Sequence, residues 1–174
     1  MTVVLVEGDS DKAAVETLAP RLGVDLGALG ADVVAIGGAG NVGRRVREAT
    51  ASGQRVGGLY DEAEERFVAR ALGRQVGDDL TRQGFFACHR DLEDEFIRAI
   101  GPGNVLELLA AERDLDAFRI LQRQPAHRER EVGAQLRRFL GTTAGRKIRY
   151  GTVLATAVPL ERVPEPIAGL LAWL

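Results

Sequence analysis

The chain has 174 residues, a length that fits one domain with a sizeable core, and its 45% apolar and 28% charged content is that of a soluble globular protein. Its 23 basic and 25 acidic residues nearly cancel, which excludes a global positive field, so any nucleic-acid role must rest on a local patch. The single cysteine, Cys88, excludes an internal disulfide and a cysteine-based zinc cluster. No apolar stretch approaches the ~20 residues that span a bilayer, and the N-terminus enters a strand without a leader-peptide pattern, so a cytoplasmic protein without a membrane partner is expected.

In chain order, Val3-Val4-Leu5-Val6 reads as a buried strand of a parallel sheet and ends on Glu7 and Gly8. Gly8-Asp9-Ser10 supplies turn and cap chemistry for a helix to about Leu22, with Pro20 ending or distorting its last turn. A second strand, residues 32–36, stops at Gly37-Gly38-Ala39-Gly40, and Asn41 is placed to cap the next helix. The run Val56-Gly57-Gly58-Leu59-Tyr60-Asp61 is a third strand that again ends on an acid, followed by a helix over 62–72. Phe85-Phe86-Ala87-Cys88 reads as a fourth strand and residues 91–100 as a helix. From Pro102 onward the pattern is helical, broken at Gln124-Pro125 and across Gly141 to Gly145. Strand and helix alternate through the first two thirds, which predicts a parallel sheet covered by helices. The expectation is one domain over 1–174, with an α/β core at 1–100 and a mainly helical extension packed on it at 101–174.

Parallel sheets gather ligands at the carboxyl ends of their strands, and two strands that each deliver a carboxylate there suggest a divalent metal site. Helical spacing sorts the remaining acids. Asp11 heads the stripe Ala14, Val15, Leu18 and Leu22 one turn past Glu7, at a helix start that favours negative charge. Glu93 borders the stripe Leu92, Phe96, Ile97 and Ile100, whereas Asp94 and Glu95 are expected toward solvent. Asp91 fits either an N-cap or a ligand. Glu64 shares a side with Phe67, Val68 and Ala71 and is expected to look inward, while helix-dipole preference accounts for Glu62 and Glu65.

Arg137-Arg138 and Arg146-Lys147-Ile148-Arg149 form the densest basic stretch. A lysine opening a helix there can reach a phosphate, or be a solvated helix start. Arg44 and Glu48 stand four apart and are expected to pair at the surface. The glycines at 37–40 lack the spacing of a dinucleotide turn, and 141–147 does not meet the P-loop pattern. His89 and His127 lack ligand spacing, and Cys88 is expected as a small buried hydrophobe.

In order along the chain, Val6-Glu7-Gly8-Asp9-Ser10-Asp11, Leu59-Tyr60-Asp61, Asp91-Leu92-Glu93-Asp94-Glu95 and Gly145-Arg146-Lys147 resemble a Toprim domain. Toprim is the catalytic fold shared by topoisomerases, bacterial primases and OLD (overcoming lysogenisation defect) nucleases. The third motif and the late lysine are most similar to stand-alone Toprim domains of the OLD type. The resemblance implies a Toprim-like, Rossmann-like parallel sheet of about four strands flanked by helices, with a helical C-terminal third. By motif, Glu7 resembles the signature glutamate, Asp11 the acid used for a second metal and Asp61 the first acid of the family's Asp-x-Asp. Asp91 and Glu93 resemble its polar-x-Glu pair, and Lys147 the lysine near the scissile phosphate. The chain departs from the pattern at Ala63, where the second acid of Asp-x-Asp falls, and Glu64 follows it directly.

The function implied is metal-dependent hydrolysis or transfer at nucleic-acid phosphodiesters, DNA first, with Glu7 and Lys147 catalytic. Glu7, Asp11, Asp61, Asp91 and Glu93 would hold two Mg²⁺ or Mn²⁺ ions about 4 Å apart. The alternative is a degenerate scaffold that binds nucleic acid or a separate ATPase chain. A small-molecule phosphohydrolase ranks third. A topoisomerase is disfavoured because neither Tyr60 nor Tyr150 lies in an added DNA-gate region.

Overall fold

Each of the four short apolar runs forms a strand, and all four pair in parallel. β1 (Thr2–Val6), β2 (Ala31–Ala35), β3 (Arg55–Asp61) and β4 (Phe85–Cys88) assemble in the order β2-β1-β3-β4. The computed structural model describes residues 1–174 apart from the side chain of Ala144. Register runs Val6 opposite Ala35, Leu5 opposite Gly58 and Asp61 opposite Cys88. Alternate residues of each strand face opposite layers, so both faces are apolar and both must be covered.

One face carries Val4, Val6, Leu59 and Cys88, and packs against α1 (Asp9–Arg21) and most of the C-terminal helices. The other carries Leu5 and Phe85, and packs against α2 (Val42–Ala51) and α3 (Glu65–Ala71). The helical remainder comprises α4 (Leu92–Ile100), α5 (Pro102–Ala111), α6 (Leu115–Arg123), α7 (Val132–Leu140), α8 (Ala144–Ala157) and α9 (Glu165–Trp173). It does not form a core of its own. Leu109, Phe118, Leu136, Leu154 and Ile167 belong to the same buried cluster as Val4 and Leu18. No helix among the described residues is long and apolar enough to cross a membrane.

Several local expectations shift. Asn41 does not cap α2 with its side chain. The chain makes a 3₁₀ turn at Ala39–Asn41, and the Asn41 amide donates back to the carbonyls of Ile36 (2.8 Å) and Gly37 (3.2 Å), closing the glycine turn. Gly37 and Gly38 both adopt positive φ, which a side chain there would resist. Their N–H groups donate to the Glu7 carbonyl, so this turn spends its donors fastening the end of β1 rather than cradling a phosphate. The helix expected over 62–72 is split into a 3₁₀ turn at Glu62–Glu64 and α3. Arg44 and Glu48 pair at 3.0 Å on the surface, as their spacing predicts.

Candidate metal centre

The chain passes from β2 back across β1 to β3, so the order of connections reverses between β1 and β3. A crevice opens at the carboxyl ends of strands at such a point. Glu7 leaves β1 and Asp61 closes β3 on either side of it. Glu7, Asp11 and Asp61 line one small cavity there, about 10 Å³ and floored by Leu59, Cys88 and Leu92. That is about the space of one water or one ion.

Asp11 reaches the cavity from the first turn of α1. Gly8 is extended at the helix start, and the Asp11 carboxylate accepts its N–H at 2.9 Å. Only 8% of Asp11 is exposed. Burial pushes its carboxyl above the usual range, and Glu7 and Asp91 add to this; Lys147 and the Gly8 N–H oppose it.

The 3₁₀ turn after β3 decides which acid joins Asp61. Three residues per 3₁₀ turn bring positions i and i+3 over one another, so Glu64 rather than residue 63 stands above Asp61. Ala63 is exposed, while Glu64 is half-buried and lines a cavity together with Glu7. Burial, then the charge of Glu7, raise the Glu64 carboxyl. Asp61 is pushed up to about 8, first by burial and then by Glu7, Asp11, Asp91 and Glu64. None of these leading causes is a cation.

The turn from β4 to α4 is built by its own acids. Asp91 is extended and caps α4, its Oδ1 accepting the Asp94 N–H at 2.8 Å, while its Oδ2 takes the Arg137 Nε at 2.5 Å. Arg90, at φ 63°, sits in the left-handed region that bulky residues avoid. Glu95 holds this turn by accepting the His89 N–H at 2.8 Å. Asp94 and Glu95 were expected toward solvent, but both are buried. Arg98 lies across them at 3.1 and 2.7 Å, and Arg90 reaches Asp94 at 3.5 Å. Arginine partners, which a helical-face argument cannot see, make that burial tolerable. Glu93 is buried as its spacing implies, and burial raises its carboxyl while Lys147 opposes the shift.

Lys147 comes from the first turn of α8, its Nζ 3.4 Å from Glu93. Burial disfavours its ammonium, but Glu93, Asp11 and Glu7 outweigh that and raise its pKa. Gly151, one turn further on, lets α8 cross α1 closely, because a Cβ there would strike the backbone of Ser10. Asp114 fixes the same helix through Arg149 and through the Tyr150 hydroxyl at 3.0 Å. His89 pairs with Glu62 at 2.9 Å on the surface, and Cys88 is buried.

The structure thus brings Glu7, Asp11, Asp61, Glu93 and Lys147 to one edge, adds Glu64, and gives Asp91 the cap of α4. Arg137, Glu95 and Gly151 were missed as parts of the site. The interior glycine of α8 was the one readable signal, since glycine in a helix often marks a close approach. Among the described residues no three His, Cys, Asp or Glu side chains stand close enough together to hold a metal ion as they are placed. The donors are all oxygens, three carboxylates line an ion-sized cavity, and among the described residues neither Asp61 nor Glu64 makes an ion pair. That set fits a hard divalent ion such as Mg²⁺ or Mn²⁺.

Known proteins give the same architecture. The family described as overcoming lysogenization defect protein-like, TOPRIM domain, matches residues 1–62. The C-terminal region of the Burkholderia pseudomallei OLD protein superposes with a TM-score of 0.75 at 17% identity, over 99% of this chain and 95% of that one. The C-terminal region of the Xanthomonas campestris pv. campestris OLD protein, phased with iodine, gives 0.71 at 21% identity, over 98% and 92%. No curated protein matches the chain. Over residues 1–62 the chain is therefore similar to OLD-like TOPRIM domains, and it shares with those C-terminal regions the fold of a four-stranded parallel sheet with helical flanks. That resemblance points to a metal-binding, nucleic-acid-related function.

Proposed function

We propose that this Toprim-type chain is a Mg²⁺- or Mn²⁺-dependent hydrolase of nucleic-acid phosphodiesters, DNA first, working as a single unit over 1–174. The observation that carries the reading is the ion-sized cavity at the β1–β3 switch point, where burial and the surrounding carboxylates push Asp61 up to about 8. Glu7, Asp61 and Asp11 would hold one ion, with Glu64 on the side that Ala63 leaves open. Asp11 and Glu93 would serve a second. Bound there, such ions would supply activation of a water and stabilisation of the leaving oxygen of a phosphodiester.

The chain's own residues do the rest. Gly37 and Gly38 fix the end of β1 through the Glu7 carbonyl, and the Gly8 N–H orients the Asp11 carboxylate. Lys147 presents an ammonium at the same edge, where it can meet a phosphate oxygen and oppose charge developing on it. Arg137 is half-exposed beside Asp91, and Arg138 is exposed next to it, so α7 offers local positive charge in an otherwise near-neutral chain.

The test is cleavage of supercoiled plasmid, single-stranded DNA and RNA by purified protein with Mg²⁺ or Mn²⁺. Glu7→Gln and Asp61→Asn are each expected to lower metal-dependent cleavage roughly 100-fold or more. Cleavage that survives both substitutions contradicts the assignment.

A second reading is favoured by one feature. Both Asp91 oxygens are already engaged, and Ala63 supplies no carboxylate. In that reading the fold is a non-cutting scaffold for nucleic acid or for a partner ATPase. Thermal stability indifferent to millimolar Mg²⁺ and Mn²⁺ would favour it.

A further inference from the structure

We propose, resting on the metal-centre reading above, that Lys147 is a tethered cation that keeps a second divalent ion off Asp11 and Glu93 until an anionic substrate draws its ammonium away.

The acidic edge is divided. Glu7, Asp61 and Glu64 lie on the β1–β3 side, where Glu64 lines a cavity with Glu7 and no lysine or arginine forms an ion pair with Glu7 or Asp61 among the described residues. Asp11 and Glu93 lie on the α1–α4–α8 side, where the Lys147 ammonium stands 3.4 Å from Glu93 and acts on Asp11 as well. Both acids are buried, so each is costly to leave without a counter-charge. Lys147 supplies it in the free protein.

The same side is equipped for another oxygen-loving ligand. Ser10 Oγ is buried, only 4% of the residue being exposed, and has no hydrogen-bond partner. With Asp11 and Glu93 it lines a second cavity of about 10 Å³, so Asp11 stands between two spaces of that size. A buried hydroxyl without a partner is uncommon and asks for an occupant such as water or an ion.

Lys147 can leave. Its side chain is 36% exposed, it sits in the first turn of α8, and its contact with Glu93 is a single ion pair rather than a fork. A phosphate beside it would offer the ammonium a second anion and return Asp11 and Glu93 to a metal. Ion occupancy would then follow substrate occupancy.

Counting bound Mn²⁺ by titration, followed by electron paramagnetic resonance or calorimetry, tests this directly on the full chain. Wild type is expected to bind one ion, Lys147→Met two, and Lys147→Arg one, because it keeps a cation. Lys147→Met combined with Glu93→Gln should lose the added ion, because Glu93 lines only the second cavity. Wild type with a phosphorothioate DNA oligonucleotide should take a second ion beyond those the oligonucleotide binds alone. Two ions on free wild type, one ion on Lys147→Met, or no further ion with the oligonucleotide would overturn the proposal while leaving the metal centre standing. Failure of any variant or of wild type to bind Mn²⁺ at all would overturn both.

Discussion

Asp61 and Asp91 show how one residue type can serve opposite ends at the same edge. Asp61 is held at about 8 against a usual value of 3.8 because burial and four neighbouring carboxylates oppose its charge. Between those values the folded protein keeps a proton that the unfolded chain has released. Stability from this group is therefore complete below 3.8 and is lost as pH rises through about 8. Asp11, Glu64 and Glu93 are raised too and add with the same sign. A divalent ion would replace those protons, so its stabilising effect should grow over the same window. Thermal unfolding at pH 5.5 and 8.5 should show a Mn²⁺-induced rise in Tm that is small at the lower pH and larger at the higher. Asp61→Asn should flatten both trends. Asp91 instead has its oxygens committed to a backbone N–H and to Arg137. Replacing it with Asn keeps the cap and should leave stability nearly unchanged, whereas Asp91→Ala should cost about 1 kcal/mol in urea unfolding. Equal losses in the two variants would mean that the charge, rather than the cap, is what α4 needs.

At the scale of elements, the site depends on how closely α8 can lie on α1. Lys147 and Gly151 are four residues apart and so share a face of α8. Gly151 has no side chain to hold the two helices apart, and its neighbour across the gap is the Ser10 backbone, adjacent to Asp11. The close crossing is what carries Lys147 to Glu93. Gly151→Ala adds a methyl that flexible side chains cannot absorb, because it meets backbone. It should destabilise the protein by about 1–3 kcal/mol, with the denaturant slope unchanged. The same variant should weaken the Lys147–Glu93 pair. An unchanged midpoint would show that the two helices are not in contact there in solution.

Across the whole molecule, what the sequence made legible was periodic. Strands ending at Glu7 and Asp61 were readable because β-branched runs mark buried parallel strands, and Asp11 and Glu93 were readable because each falls on an apolar helical stripe. What stayed hidden depends on partners distant in sequence. Asp94 and Glu95 look solvated along α4 until Arg90 and Arg98 close over them. Arg137 lies 46 residues from the acid it holds. Asn41 spends its amide on the turn behind it, which no cap rule anticipates. Glu64 was legible as an inward acid, but its superposition on Asp61 needs the 3₁₀ turn that a helical reading of 62–72 smooths away.

We propose the carboxyl edge between β1 and β3 as a divalent cation centre. Anomalous scattering from crystals soaked in Mn²⁺ tests it most directly. A peak is expected between Glu7 and Asp61, with Asp11 or Glu64 completing its ligands. No peak at saturating Mn²⁺, or a peak only elsewhere on the molecule, would contradict it.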